Sequence, residues 1–165
     1  MTLSELKTQF LEYIEIEKGR SIKTVENYDH YLTRFLSFAK TDNPKDISDN
    51  LLREYRLWLN RQSTGNNKST GATLKKKTQN YYLIALRSLL NYFAEHDITS
   101  LPSSKVKLAK QKSEETISFL EVSDVEKMIK IPDLKTINGL RDRTIMELFF
   151  SSGMRISELV ALNAD

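Results

Sequence analysis

The 165 residues include no cysteine, which excludes disulfides and thiolate metal sites. Glycine and proline are scarce, 5 and 3 residues, too few for the turns of an all-β chain. The longest apolar runs are a few residues, so no segment reads as a membrane span. The opening MTLSELKTQF has no apolar signal region, and the expectation is a cytoplasmic protein with no membrane partner. His30 and His96 are isolated, with no H-x-x-x-H spacing, and no G-x-x-x-x-G-K-[ST] run cradles a phosphate. No metal and no small-molecule cofactor are therefore expected. What remains is 39% hydrophobic and 28% charged, the balance of a soluble globular chain.

The net charge of +3 hides an uneven distribution. Residues 1–62 are neutral, with ten Lys/Arg and ten Asp/Glu. Residues 63–113 hold nine Lys/Arg against two Asp/Glu, and residues 114–165 hold six against ten. A basic middle between neutral and acidic flanks outlines a polyanion site, unless the clustering is only a solvated surface.

Helical periodicity dominates the hydrophobic pattern. Leu3, Leu6, Phe10, Tyr13 and Ile14 mark a first helix, opened by a Thr2-x-x-Glu5 capping box and ended by Gly19. Ser21 caps a second with Val25, Tyr28, Leu32, Phe35, Leu36 and Ala39. Asn43-Pro44 breaks the chain, and Ser48 caps a third with Leu51, Leu52, Tyr55, Trp58 and Leu59. Residues 63–73, STGNNKSTGAT, read as a loop. A fourth helix runs from Lys75–Lys77 to about His96. Tyr82, Leu86, Leu89, Leu90 and Phe93 share its apolar arc, and Lys77, Asn80, Tyr81, Ile84, Ser88 and Asn91 its other side, with Arg87 at the margin.

Past Pro102, SSKVKLAKQKSEET reads as a lysine-rich linker. Ser123 can cap a short helix with Val125, Met128 and Ile129. An apolar helix then spans Leu140 to Phe150, Gly153 stops it, and a last helix starts near Arg155. The expected organisation is all-α: a four-helix bundle over 1–101, a basic linker over 102–116, and a small second unit over 117–165. About 50 residues is little for an independent core.

Arg155 follows the helix-ending Gly153 by two residues, and Glu158 lies one turn on. On chemistry alone the commoner reading is an exposed Arg–Glu pair. The alternative is a guanidinium oriented to grip two oxygens of a phosphate.

The stretch GLRDRTIMELFFSSGMRISELVAL, Gly139 to Leu162, resembles the start of the catalytic domain of tyrosine recombinases, the phage-integrase and Xer-type family, whose pattern is close to GLRDRAL…LLYATGLRISELLAL. The match includes Gly139, Leu140, Arg141, Asp142, Arg143, Gly153, Arg155, Ile156, Ser157, Glu158, Leu159, Ala161 and Leu162. Upstream, Ser21-x-x-Thr24-x-x-x-Tyr28-x-x-x-Leu32-x-x-Phe35 is similar to the second helix of the family's core-binding domain. Thr78-x-Asn80-x-x-Leu83-x-Ala85-Leu86-Arg87-Ser88 is similar to its fourth, and Phe119-Leu120 with Ser123 and Val125 to its entry into the catalytic domain.

The resemblance implies a SAM-like core-binding bundle followed by the first helices of a truncated catalytic domain. It implies that Arg155 is the first catalytic arginine, on the scissile phosphate, with Glu158 supporting the site in the parent enzyme. The family's lysine, His-x-x-Arg pair, further His or Trp and tyrosine nucleophile lie downstream of that arginine, so the chain itself is expected to bind DNA without cutting it. The parent breaks and rejoins DNA through a 3′-phosphotyrosine bond, with other recombinase protomers as partners. DNA contacts are implied for Ser21, Lys23, Thr24 and Asn27 on the second helix. They are implied also for Lys75, Lys76, Lys77, Thr78, Asn80, Tyr81 and Arg87 on the fourth, and for Lys105, Lys107, Lys110 and Lys112 in the linker. Two alternatives stay open: a stand-alone non-catalytic DNA-binding protein, and a helical protein-interaction module.

Overall fold

The computed structural model describes residues 1–63, 73–110 and 119–163. Among them the regular structure is seven α-helices, two short 3₁₀ turns and one isolated antiparallel bridge, Ser63 to Thr73, so the chain is all-α. The interior of the loop expected at 63–73 lies outside the described residues, as does Lys112. The chain divides into two compact units, Met1–Ser113 and Glu114–Asp165.

Local chemistry sets the helix ends of the first unit. Helix α1 (Leu3–Ile16) opens on a reciprocal capping box, Glu5 N–H to Thr2 Oγ1 at 3.2 Å and Thr2 N–H to Glu5 Oε2 at 2.8 Å. The Thr2 N–H holds the Glu5 carboxyl below the usual carboxylate range. Gly19, at φ +59°, turns the chain beyond α1. Helix α2 (Ile22–Ala39) is capped by Ser21, and α3 (Asp49–Asn60) by Ser48, whose Oγ accepts from Leu51 N–H at 3.2 Å. Helix α4 (Lys76–Glu95) has no side-chain cap.

The four helices pack through their buried stripes, with α2 touching each of the other three. Lys7 of α1 donates to Asp29 and Thr33 of α2 at 2.7 and 2.8 Å. Phe35 and Phe38 of α2 meet Tyr55 of α3 with ring centroids 5.0 and 5.3 Å apart. Tyr31 of α2 packs on Tyr82 of α4 at 4.6 Å, and Tyr13 of α1 on Tyr92 of α4 at 5.0 Å. Leu3, Leu6, Phe10, Leu32, Phe35, Leu59, Leu86, Leu89 and Phe93 are at most 1% exposed. Each such side chain contributes about 1.5–3 kcal/mol of burial. Tyr55 is fully buried too, its hydroxyl has no hydrogen-bond partner, and burial pushes its phenol well above the ordinary value.

Two expectations change. The buried surface of α4 is wider than one arc, since Leu83, Ala85, Tyr92 and Asn80 are buried as well. Part of the cover comes from residues read as linker. Val106 is 2% exposed, Leu101 and Leu108 pack on the core, and a 3₁₀ turn over Ser103–Lys105 leads in. Asn80 closes this contact: its Nδ2 donates to the Ala109 carbonyl and its Oδ1 accepts from the Ala109 N–H, both at 3.0 Å. Residues 102–110 are thus docked on the bundle rather than free. Asn80, placed on the open side by its spacing, is 6% exposed with both amide atoms spent inside the unit.

In the second unit, α5 (Val122–Ile129) starts one residue before Ser123, so Ser123 sits in the first turn rather than capping it. Helix α6 (Ile137–Ser152) starts three residues before Leu140, where Thr136 Oγ1 accepts from Gly139 N–H at 3.0 Å. Gly153, at φ +64°, ends it as expected, and α7 (Ile156–Val160) follows. Gly139 is the one buried residue in these three helices, and a Cβ there would collide with the Asp133 carbonyl. Ile131, Ile137 and Val160 are 79%, 86% and 79% exposed, the signature of a unit with little core of its own. No described helix is long and apolar enough to cross a membrane.

Candidate nucleic-acid interface

The expected contact residues fall on two helices whose antiparallel packing decides what they form together. Tyr82, two turns into α4, meets Arg34 and Tyr31 in the second half of α2. Tyr28, earlier in α2, shares a cleft with Ser88, Asn91 and Tyr92 near the end of α4. The start of α2 therefore lies towards the end of α4, and the start of α4 towards the end of α2. Ser21, Lys23, Thr24 and Asn27 form one patch, with Arg87 nearer to it along α4. Lys75, Lys76, Lys77, Thr78 and Tyr81 form the other. From Lys76 to Arg87 the helix rises about 16 Å at 1.5 Å per residue, so these are two ends of a ridge and not one cluster.

Several of these side chains are already engaged. The Ser21 hydroxyl caps Thr24 N–H and lies 3.0 Å from Thr24 Oγ1. Lys23 pairs with Glu26 at 2.7 Å, and that carboxylate raises its ammonium above the ordinary lysine value. Lys75, Lys76, Lys77, Tyr81 and Arg87 are exposed. Lys105 pairs with Asp49 at 3.1 Å, while Lys107 and Lys110 project outward from the docked segment. Docking turns these three lysines from a loose tether into fixed charges on the bundle surface.

Between the two patches sits a residue that the spacing argument passed over. Arg34 lies 5.1 Å from the Trp58 ring and 5.3 Å from the Tyr82 ring, donating to Tyr82 Oη at 3.0 Å and to Gln62 Oε1 at 3.3 Å. It has no carboxylate partner among the described residues. Aromatic faces and neutral acceptors hold such a guanidinium without neutralising it. Its signal was present as Asn27, Tyr31, Arg34 at helical i, i+4, i+7 spacing. Burial raises the Tyr31 phenol above its ordinary value, so it stays a neutral donor at physiological pH.

In the second unit, Arg155 is the residue before α7. Its N–H donates to Glu158 Oε2 at 2.7 Å and its Nη1 to Oε1 at 3.2 Å. Glu158 thus serves the helix start and the guanidinium together. The Arg155 side chain is 83% exposed, so nothing within this unit uses it for packing. Among the described residues no group of three or more His, Asp or Glu is placed to hold a metal ion.

Comparison with known proteins gives this geometry a context. The family model for the phage integrase N-terminal SAM-like domain matches residues 8–96, from within α1 to the end of α4. A tyrosine recombinase XerD of Listeria innocua is 28% identical over 99% of this chain and 53% of its own length. A tyrosine recombinase XerC of Thermodesulfovibrio yellowstonii is 29% identical over 96% of this chain and 49% of its own. One from Myxococcus xanthus, also XerC, is 32% identical over 98% and 51%. The chain spans about half the length of the curated relatives it matches. With the SAM-like bundle over most of its first unit and Xer-type relatives aligned along nearly all of it, this chain belongs to the phage-integrase family of tyrosine recombinases.

Proposed function

We propose that the first unit is the DNA-binding part of a site-specific tyrosine recombinase, and that Arg155 and Glu158 belong to that enzyme's phosphate-activating site. The observation that carries this reading is the ridge of α2 and α4, with a polar patch at each end and the unneutralised Arg34 between them. Along α4 the lysines of its first turn and Arg87 stand about 16 Å apart, of the same order as the roughly 12 Å major groove. The lysines and the Tyr81 hydroxyl suit the backbone, and Asn27 and Thr78 are groups of a kind that read base edges.

Arg155 answers the chemistry of the second unit. Charge develops on the non-bridging oxygens of a phosphate under attack, and a planar two-point donor stabilises it. Glu158 holds that donor while leaving its outer edge open. In the parent enzyme a tyrosine oxygen attacks the phosphorus and the 5′ oxygen leaves, giving a 3′-phosphotyrosine that the reverse step reseals. None of the seven tyrosines lies in the second unit with Arg155; all precede it along the chain.

The test is a salt titration of duplex affinity for the chain and its K75A/K76A/K77A variant. Each phosphate-neutralising lysine contributes about 0.9 to the log–log slope, so the triple variant should flatten it by up to about 3. An unchanged slope would move the site off the start of α4.

A further inference from the structure

Helix α3 carries a second cationic surface that neither the lysine pattern nor the α2–α4 ridge includes. Asp49, Arg53, Arg56 and Asn60 stand at i, i+4, i+7 and i+11, one stripe of α3. The stripe faces an open groove of about 460 Å³, whose other walls are the first turn of α4 and the docked segment at Lys105 and Ala109. That volume admits a nucleotide-sized segment.

The charge in the groove is one-sided. Arg53, Arg56, Lys76 and Lys105 line it, and Asp49 is its one carboxylate. Asp49 is taken by Lys105 at 3.1 Å. Arg53 donates to the neutral Asn50 Oδ1 at 3.2 Å, and among the described residues Arg53, Arg56 and Lys76 form no ion pair. Arg56 is half-buried, and Leu52 and the 46% exposed Leu57 supply an apolar floor. Like charges gathered over low-dielectric walls focus a positive potential and are relieved by an anion from outside. The groove is also continuous with the lysines at the start of α4, because Lys76 belongs to both.

We propose that this groove holds the phosphodiester backbone of the same duplex, Arg53, Arg56 and Lys76 each taking a phosphate, so that α3 extends the DNA surface beyond α2 and α4. The proposal rests on the DNA-binding reading above. Continuity with Lys75 and Lys77 favours a duplex over an acidic peptide, since one backbone strand can run from that patch into the groove. The wall formed by Lys105 and Ala109, pinned through Asn80, then places the docked segment against the bound strand.

The experiment compares the full chain with R53Q/R56Q, R53K/R56K and K75A/K77A in duplex titrations over a range of salt concentrations, with thermal melting of each. Glutamine keeps most of each stem and removes the charge. R53Q/R56Q should melt near wild type, bind more weakly, and lose up to about 2 from the salt slope, at roughly 0.9 per phosphate. R53K/R56K should keep the slope, which a purely structural role would not require. If R53Q/R56Q leaves slope and affinity unchanged while K75A/K77A lowers them, the groove proposal is overturned and the DNA reading stands. If R53Q/R56Q binds duplex like wild type but loses affinity for poly-glutamate, the groove takes an acidic peptide and the proposal is again overturned. A wild-type chain with no salt-dependent duplex binding overturns both.

Discussion

Replacing Asn80 with alanine tests whether residues 102–110 belong to the bundle. The substitution removes two hydrogen bonds to the Ala109 backbone, both at 3.0 Å, from a side chain that is 6% exposed. A neutral hydrogen bond contributes about 0.5–1.5 kcal/mol net, and a buried group left unpaired costs about 1–3 kcal/mol. Ala109 is only half-buried, so water reaches part of its backbone and the loss should come to about 2–3 kcal/mol. A unit of 113 residues unfolds with an entropy near 0.24 kcal/mol/K, so its Tm should fall by about 8–12 °C. Calorimetry reads this value, and amide exchange at Ala109 should speed up with it. Asn80→Asp sharpens the test. A carboxylate keeps the acceptor but turns a second oxygen towards the Ala109 carbonyl, whereas the protonated acid donates there as the amide does. Its folded-state pKa is therefore raised, so its stability is full below the usual carboxylate range and is lost as pH rises through the raised value. A Tm within about 2 °C of wild type for Asn80→Ala, with unchanged exchange at Ala109, would refute the clip. So would an Asn80→Asp protein that gains stability on alkalinisation.

Tyr55→Phe removes a buried hydroxyl without a partner and should leave stability unchanged or raise it by about 1 kcal/mol, read by urea denaturation. Burial also raises the Tyr31, Tyr55 and Tyr92 phenols, so their contribution is intact below pH 10 and lost as pH rises beyond it. Tyr55→Phe should weaken that alkaline loss, and an identical pH profile would contradict it. Gly139→Ala should destabilise the second unit, read as faster amide exchange over α6, because its Cβ meets the Asp133 carbonyl. In a cleavage-competent recombinase carrying this segment, Arg155→Ala should cut cleavage roughly 100- to 1,000-fold, or about 3–4 kcal/mol, with Tm and DNA affinity little changed. Cleavage near the wild-type rate would return Arg155 to an ordinary surface pair.

Caps and breaks were legible because they are local. Thr2, Ser21, Ser48 and Gly153 act on backbone groups within a turn, so a short string of residues specifies them. The docked segment was not, for a reason visible in Lys105–Val106–Lys107–Leu108. Its inward residues alternate with lysines at a spacing of two, over too few positions to stand out from a charged tether. Asn80 was misplaced by the same event, since a polar residue on the outer arc of α4 becomes interior only when a distant segment covers it. The lysines of the candidate interface could be read from composition. Their division between two ends of a ridge could not, because it depends on α2 and α4 running antiparallel. Arg34 and the α3 arginines were hidden in a stretch of neutral net charge, where only tertiary packing separates cations from carboxylates.

The most direct test of the DNA-binding account is a backbone amide NMR titration of the chain with duplex DNA at low salt, repeated at high salt. Shifts should concentrate at Ser21–Asn27, at Lys75–Tyr81 and around Arg34, and should collapse as salt displaces the duplex. Shifts confined to residues 119–163, or an unperturbed spectrum at low salt, would contradict the account.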